Sequence, residues 1–166
     1  YLGGERAPIW NAQARGSFIG LSRNHTKPQM ARSVLEGIVF NLLGAARGLR
    51  EKIGEPEALR VTGGFVRSDF VRQLIADIFN LPVVVIKNDQ SGTLAAMFLA
   101  QLGLNEENSL DKIVKEIDDS KVYFPNQKNV QAYQNIIPIY REVEHDLDQS
   151  YDKIAQFQKK YPKLFE

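Results

Sequence analysis

Apolar residues recur along this chain with two spacings, one typical of buried strands and one typical of amphipathic helices. Short, mainly apolar segments at residues 59–61 and 81–86 predict two strands. Between them, four apolar residues at helical spacing predict one apolar helix face: Val71, Leu74, Ile75 and Ile78. A strand, a helix and a second strand predict a parallel crossover unit, and ligands tend to bind beyond the carboxyl ends of such strands.

The turn between the first strand and this helix contains the residues best suited to binding a ligand. Gly63 and Gly64 have no side chain, so a ligand can approach their backbone closely. Ser68 is a candidate N-cap, since its hydroxyl can accept a hydrogen bond from an amide of the first turn. A helix N-terminus favours an anion, but the segment matches neither GxxxxGK[ST] nor the full GxGxxG. On residue chemistry alone, a ligand site and a plain tight turn are equally good interpretations.

A longer apolar stripe predicts a helix from residue 29 to about residue 53. Its members recur at three and four residues and are expected to face the core: Met30, Val34, Ile38, Leu42, Ala45 and Leu49. Gly37, Gly44 and Gly48 lie on another strip, and each costs up to about 1 kcal/mol relative to alanine. Close packing within the domain is the favoured compensation, and a face against a missing domain is the alternative. Residues 16–21 predict a short strand before this helix.

The sequence pattern in the second half of the chain predicts helices and one loop. Residues 92–103 predict a helix with a small-residue face, and residues 105–120 an amphipathic helix. From Val130 onward, apolar residues at helical spacing predict a long C-terminal helix that Pro138 interrupts early. Packing of this helix on its own domain is favoured, and a homodimer contact is the alternative.

Composition narrows the class of protein. A chain of 166 residues with 43% hydrophobic residues is expected to form one globular domain, residues 1–166. The net charge of +1 argues against a broad nucleic-acid surface. No apolar run approaches 18 residues and no signal peptide is visible, so we expect a cytoplasmic protein with no membrane partner. Because the chain begins at Tyr1 and not at Met, we expect it to be part of a longer polypeptide.

The central unit also resembles a known family. Residues 62–68, Thr-Gly-Gly-Phe-Val-Arg-Ser, with Gln73 and residues 76–77, resemble the adenosine-side motif of the FGGY carbohydrate kinases. Other blocks resemble further family segments in the expected order: residues 2–10 with Arg15-Gly16, residues 35–37, residues 91–96, and Phe124-Pro125 with Tyr133. The resemblance covers essentially the whole chain but only the second domain of the family. Within the family, residues 4–11 and 62–69 are most similar to gluconate kinases.

This resemblance implies a fold and an activity. The fold implied is α/β, a ribonuclease H-like domain of the actin/hexokinase/Hsp70-type ATPase class, with a mixed sheet flanked by helices and a long C-terminal helix. The activity implied is phosphorylation of gluconate, a sugar acid, to 6-phosphogluconate, with ATP and Mg²⁺ as cofactors. The catalytic base and the main phosphate loops belong to the missing N-terminal domain, so no catalytic residue or metal ligand is assigned here and this chain alone is expected to be inactive. A kinase for another sugar, such as xylulose, and a non-catalytic nucleotide-binding or assembly module are the alternatives.

The resemblance also assigns roles to the residues of the turn. Gly64 would meet the nucleotide through its backbone and Ser68 through its hydroxyl, while Gly63 and Phe65 would shape the turn. Phe65 stands where many relatives carry a small residue. Arg67 could balance phosphate charge or simply face solvent.

The first loop contains the residues assigned to the sugar side of the cleft. Glu5 and Arg6 would lie near the cleft, where Arg6 suits a carboxylate through its planar fork of donors. A surface or interdomain ion pair is the favoured alternative for these two residues. Trp10 is expected to be a packing anchor. His25 is expected to be a loop histidine, because no metal-ligand spacing surrounds it.

The pair Gln73 and Asp77 lies four residues apart on one helix face. We expect these side chains to bond to each other or to solvent, since mid-helix positions project away from a ligand at the N-terminus.

Overall fold

The structure, a computed structural model, describes residues 1, 3–86 and 119–162, with residues 92, 93, 96, 99, 100 and 103 between them. Its helices and strands are α1 (Lys27–Ile53), β1 (Leu59–Val61), a 3₁₀ turn (Gly64–Arg67), α2 (Asp69–Phe79), β2 (Val83–Ile86), β3 (Asp119–Tyr123) and α3 (Gln127–Lys160). Of the helix predicted over 92–103, the described residues 92, 93, 96, 99, 100 and 103 are helical, and most of the helix predicted over 105–120 lies outside the described residues. Residues 119 and 120 belong to β3, so the second of these predictions is wrong at its C-terminal end.

The chain divides into two compact units. Unit 1 comprises Tyr1–Gly54 with Gln131–Glu166, and unit 2 comprises Glu55–Val130. No helix in the described part of the chain is both long enough and apolar enough to cross a membrane.

Unit 2 contains a mixed three-stranded sheet in the order β1-β2-β3. β1 and β2 are parallel, with Leu59 opposite Val83, and β2 and β3 are antiparallel. The predicted strand–helix–strand crossover is therefore confirmed. The second strand begins at Val83. Just before it, the Pro82 carbonyl accepts a hydrogen bond from the Leu59 amide at 2.8 Å.

Helix α2 packs the predicted apolar face into unit 2. The four residues of that face are only 3 to 5% exposed: Val71, Leu74, Ile75 and Ile78. The helix contacts β2 and β3 and ends at Asn80, whose left-handed backbone terminates it. This face and the fully buried Val83 form the core of unit 2.

Unit 1 is built from α1, α3 and the loop that begins the chain. At the start of α1, the Gln29 side chain accepts a hydrogen bond from the Thr26 amide at 2.8 Å. Phe40 of α1 packs against Tyr133 and Tyr140 of α3, with ring centroids 6.0 and 5.0 Å apart. The long C-terminal helix is confirmed, and it includes Pro138.

The packing of α1 differs from the prediction in which face is buried. The fully buried residue is Val39, whereas four members of the predicted core stripe are 43 to 57% exposed: Val34, Ile38, Leu42 and Leu49. The prediction is wrong because α3 covers the side of α1 that carries Phe40, not the side with the most regular apolar spacing.

Two smaller predictions about unit 1 also have an outcome. Close packing explains Gly44, because a Cβ there would lie 3.0 Å from Pro8 Cγ, but Cβ atoms at Gly37 and Gly48 would meet no described residue within 4 Å. The strand predicted over residues 16–21 is wrong, since these residues have no regular structure and Phe18 and Ile19 are exposed. A strand needs a partner for its backbone groups, and the apolar pattern alone does not supply one.

Candidate nucleotide-binding turn

The segment that follows β1 makes a sharp strand-to-helix turn. Gly63 has φ +97°, in the region that favours glycine over residues with side chains. Gly64–Arg67 then forms one 3₁₀ turn, and Ser68 returns to extended backbone before α2 begins. The predicted glycine turn is therefore present, and its geometry requires glycine at position 63.

Among the described residues, open space lies over the two glycines. A Cβ placed on Gly63 or Gly64 would meet none of their atoms within 4 Å. Val66 is buried and anchors the turn to unit 2, while Phe65 is partly exposed. The turn therefore presents bare backbone on its outer side, which is what close approach of a ligand requires.

Ser68 occupies the N-cap position of α2, as predicted, but its side chain makes no capping hydrogen bond. The expected hydrogen bond from a first-turn amide to the Ser68 hydroxyl is therefore wrong for this structure. The backbone provides the connection instead, since the Arg72 amide donates to the Ser68 carbonyl at 3.1 Å. The hydroxyl is thus not committed to capping the helix.

Arg72 joins the turn to its surroundings, and the sequence analysis did not identify it. Its Nε donates a hydrogen bond to the Val66 carbonyl, inside the turn. Its Nη1 donates to Asp69 Oδ1 at 2.8 Å and lies 3.2 Å from the Tyr123 hydroxyl on β3. The Asp69–Arg72 spacing of three residues in the first turn of a helix was a usable signal, but Tyr123 was not predictable from local sequence.

Asp69 is the negative centre of this cluster. It accepts hydrogen bonds from the Tyr123 hydroxyl and from Lys121 Nζ, the latter at 3.2 Å. The Tyr123 hydrogen bond, followed by that of Lys121, holds the pKa of the Asp69 carboxyl below its usual range. With Arg72 and Lys121 cationic and Asp69 anionic at neutral pH, the cluster adds net positive charge beside the N-terminus of α2. Both features favour an anionic ligand at the turn.

Gln73 and Asp77 have a structural role, which confirms the favoured interpretation. Gln73 Nε2 donates to Asp77 Oδ1 at 2.8 Å and to the Phe124 carbonyl at 2.9 Å. Asp77 is only 3% exposed, and it also accepts from the Asn126 amide at 2.8 Å and from Asn129 Nδ2 at 2.7 Å. Asp77 therefore ties α2 to the residues where α3 begins.

The loop that carries Glu5 and Arg6 is closed by hydrogen bonds within unit 1. The Glu5 amide donates to the Asn11 carbonyl at 2.9 Å, and Glu5 Oε1 accepts from the Arg6 amide at 2.9 Å. The Arg6 residue is exposed. Trp10 is 75% exposed with φ +50°, so its prediction as a packing anchor is wrong: the loop turns its indole outward.

The predicted site residues fall into two groups. Gly63, Gly64, Phe65 and Ser68 share one turn in unit 2, whereas Glu5 and Arg6 share one loop in unit 1. His25 lies in a loop as expected, where Nδ1 accepts from the Ser22 amide at 2.8 Å. Within the described ranges, no three His, Cys, Asp or Glu residues are grouped so that they could hold a metal ion.

Known proteins resemble this chain in both sequence and fold. The family model described as the C-terminal domain of the FGGY family of carbohydrate kinases matches residues 1–104. The gluconokinase of Bacillus licheniformis is 36% identical over 160 residues, which are 96% of this chain and 31% of the relative. A xylulose kinase of Staphylococcus epidermidis is 36% identical over 144 residues, which are 86% of this chain and 29% of the relative.

The solved structures that match this chain include the same two kinds of kinase. A ligand-bound xylulose kinase from Lactobacillus acidophilus matches with a TM-score of 0.85, and a gluconate kinase from the same organism with 0.84. Each is 55% identical to this chain and matches 93% of it and 31% of its own length. The chain has the actin/hexokinase-like ATPase fold of these sugar kinases, with a mixed sheet, flanking helices and a long C-terminal helix. It spans about a third of the length of the relatives it matches.

Proposed function

Since the chain belongs to the FGGY family of carbohydrate kinases, we propose that it forms the adenosine side of an ATP-dependent kinase that phosphorylates gluconate. The observation that carries the proposal is the bare backbone at Gly63 and Gly64, placed between a parallel strand and the N-terminus of α2. ATP supplies the phosphoryl group that is transferred to a sugar hydroxyl. This chain binds and orients the nucleotide.

Within this proposal, each residue of the turn has a distinct task. The open space over Gly64 admits the nucleotide against the backbone, and the positive φ of Gly63 makes the bend that exposes it. The Ser68 hydroxyl is available to the nucleotide because it does not cap α2. The cationic cluster of Arg72 and Lys121 with the α2 N-terminus favours the negative charge of ATP over a neutral ligand.

The metal required by such a reaction is not assigned to this chain. The described residues contain no group suited to holding Mg²⁺, so we derive no step through a metal bound here. We place the general base in the preceding domain of the same polypeptide, because the relatives are about three times as long as this chain. It follows that residues 1–166, as one domain, do not phosphorylate sugar on their own.

Gluconate is favoured over a neutral sugar on two grounds. Over about 160 residues, the gluconokinase relatives are 36% identical and a xylulose kinase of Lactococcus lactis is 32% identical. The exposed Arg6 on the first loop offers a bidentate partner for the carboxylate of a sugar acid. Xylulose is the second candidate, because one of the two Lactobacillus acidophilus structures at 55% identity is described as a xylulose kinase.

A substrate panel with one substitution tests the sugar. ADP release is measured on the full polypeptide that contains this chain, with gluconate, xylulose, glycerol and no sugar. We expect turnover on gluconate, and we expect Arg6→Gln to raise the KM for gluconate about tenfold, because charged hydrogen bonds contribute about 1.5–3 kcal/mol. Arg23→Gln, in an exposed turn of the same unit, is the matched control and leaves the KM unchanged.

Three results would count against parts of this proposal. Turnover on xylulose but not gluconate would keep the kinase and refute the sugar acid. An unchanged KM in Arg6→Gln would remove Arg6 from the sugar site. No turnover on any sugar would refute the kinase activity and favour a non-catalytic nucleotide-binding or assembly module.

A further inference from the structure

We propose that Arg72 is a positioning residue for ATP: its guanidinium fixes the Val66 carbonyl, and with it the backbone of the turn that meets the nucleotide. This inference rests on the proposed role of the turn in nucleotide binding. Arg72 itself does not touch the nucleotide in this proposal.

The turn has few internal means of holding its shape. A single turn of 3₁₀ helix closes few hydrogen bonds of poor geometry, and Val66 has φ −93° and ψ 17°, outside the helical region. The Arg72 side chain supplies a bond from outside, because its Nε donates to the Val66 carbonyl. The backbone bond from the Arg72 amide to the Ser68 carbonyl, at 3.1 Å, begins α2 and does not depend on the side chain. The guanidinium therefore holds the middle of the turn.

The guanidinium is in turn oriented by Asp69 on the same helix and by Tyr123 on β3. Nη1 bonds to Asp69 Oδ1 at 2.8 Å and lies 3.2 Å from the Tyr123 hydroxyl, while its Cζ lies 5.7 Å from the centroid of the Tyr123 ring. Tyr123 also donates to Asp69, so the three side chains form a closed ring of contacts. The side chain of Arg72 is 18% exposed, which limits competition from water.

This geometry requires arginine and not merely a positive charge. The Nε and Nη1 atoms of one rigid plane contact the turn, the helix and β3 together. Lysine has a single ammonium group on a flexible stem, so it cannot hold all three in the same fixed arrangement. We therefore expect a lysine at this position to preserve charge but not the shape of the turn.

A turn that is fixed before ATP binds loses little conformational freedom on binding. Loosening it should weaken ATP binding while leaving the chemical step and the sugar site intact. The kinetic signature is a rise in the KM for ATP without a matching change in kcat or in the KM for sugar. A purely structural role would instead lower the melting temperature and the amount of active enzyme.

The experiment compares Arg72→Lys and Arg72→Gln in the full polypeptide that contains this chain. We expect both to raise the KM and dissociation constant for ATP about tenfold, with kcat and the sugar KM within about twofold, as for loss of a charge-assisted hydrogen bond. Hydrogen exchange at the amides of residues 64–68 should accelerate about as much. Tyr123→Phe, which keeps Arg72 but removes one contact, should give a smaller rise of about threefold. The Tyr123 and Arg72 effects should be less than multiplicative when combined.

Arg47→Gln is the matched control, since it breaks an exposed arginine–glutamate pair on α1 and leaves ATP binding unchanged. An unchanged ATP constant in both Arg72 variants of an active enzyme would overturn the inference and leave the proposed function standing. Equal losses in all constants with a lowered melting temperature, repeated in Tyr123→Phe, would also overturn it. If the unsubstituted polypeptide phosphorylates no sugar, the proposed function fails. The dissociation constants for ATP then decide by themselves whether Arg72 positions the turn. Absence of ATP binding overturns both.

Discussion

Helices α1 and α2 carry similar apolar stripes in the sequence, yet only α2 buries the stripe that its spacing defines. The stripe of α2 is 3 to 5% exposed, whereas four residues of the α1 stripe are 43 to 57% exposed. The strands that flank α2 follow and precede it directly, between residues 59 and 86. The packing partner of α1 is α3, about ninety residues further along, and α3 covers the side of α1 that carries Phe40.

This difference shows that the apolar face of a helix and the partner that covers it are determined separately. Hydrophobic spacing identifies the apolar face of a helix, but the partner that reaches that face is set by the rest of the polypeptide. For α2 the partner is local, so spacing and burial agree. For α1 the partner is distant in sequence, and burial follows the aromatic contacts of Phe40 with Tyr133 and Tyr140.

The largest expected effect on the free energy of unfolding comes from replacing one leucine of each stripe with alanine. Leu74→Ala in α2 should lower the free energy of unfolding by about 2–5 kcal/mol, because it removes buried methyl groups and leaves a cavity. Leu42→Ala in α1 should lower it by less than about 1 kcal/mol, because this side chain is already 46% exposed. Urea titration of the 166-residue chain, followed by circular dichroism, measures both.

The matched pair makes the result decisive, since both substitutions are leucine to alanine within a helix. Equal losses for the two variants would show that the α1 stripe is covered in solution. The same measurement on the full polypeptide tests whether additional chain covers Leu42. If it does, the loss in free energy of unfolding caused by Leu42→Ala rises toward that caused by Leu74→Ala.

A second effect of intermediate size concerns the polar groups that tie each helix to α3. Asp77→Ala should cost about 2–3 kcal/mol, because Asp77 is buried and accepts hydrogen bonds from Gln73, Asn126 and Asn129, all three of which would be lost. Glu36→Ala on α1 removes an acceptor for Arg32 and Tyr133 at a more exposed position, and should cost about 1 kcal/mol. Asp77→Asn, which keeps one oxygen acceptor, should fall between the two.

Hydrogen exchange distinguishes the expected mechanism from general destabilisation. Loss of Asp77 should accelerate exchange in the first turn of α3, where the Asn126 amide is held, more than in α1. Uniform acceleration across both units would contradict a local role for Asp77.

The sequence predicted those parts of the fold and site whose contacts are close along the chain. The crossover unit, the bend at Gly63 and the cap position of Ser68 depend on residues 59–86 alone, and all three are present. The Arg72–Tyr123 contact joins residues that are 51 positions apart, and no pattern in the neighbouring sequence predicts it. The strand predicted over 16–21 failed for the related reason that an extended segment needs a pairing partner from elsewhere.

The smallest expected effect is a pair of opposite pH dependences, one from each unit. Hydrogen bonds from Tyr123 and Lys121 lower the pKa of Asp69 below 3.8, so its contribution to stability is present above that pH. That contribution is lost as the pH falls through the lower, folded-state pKa. Burial raises the pKa of Glu144 on α3 above 4.5, so its contribution is present below pH 4.5 and is lost as the pH rises through the higher, folded-state value.

Both substitutions should therefore act mainly near pH 7, but in opposite directions. Asp69→Asn should destabilise the chain at pH 7 and have less effect near pH 3, because the carboxylate it replaces is charged and paired only at the higher pH. Glu144→Gln should do the reverse: it should stabilise the chain slightly at pH 7, where the native carboxylate is charged in a half-buried position, and change little near pH 4. Urea midpoints measured from pH 3 to pH 7 would give curves that diverge from the unsubstituted chain in opposite directions. Curves that diverge in the same direction would mean that Glu144, like Asp69, is stabilised as a paired carboxylate.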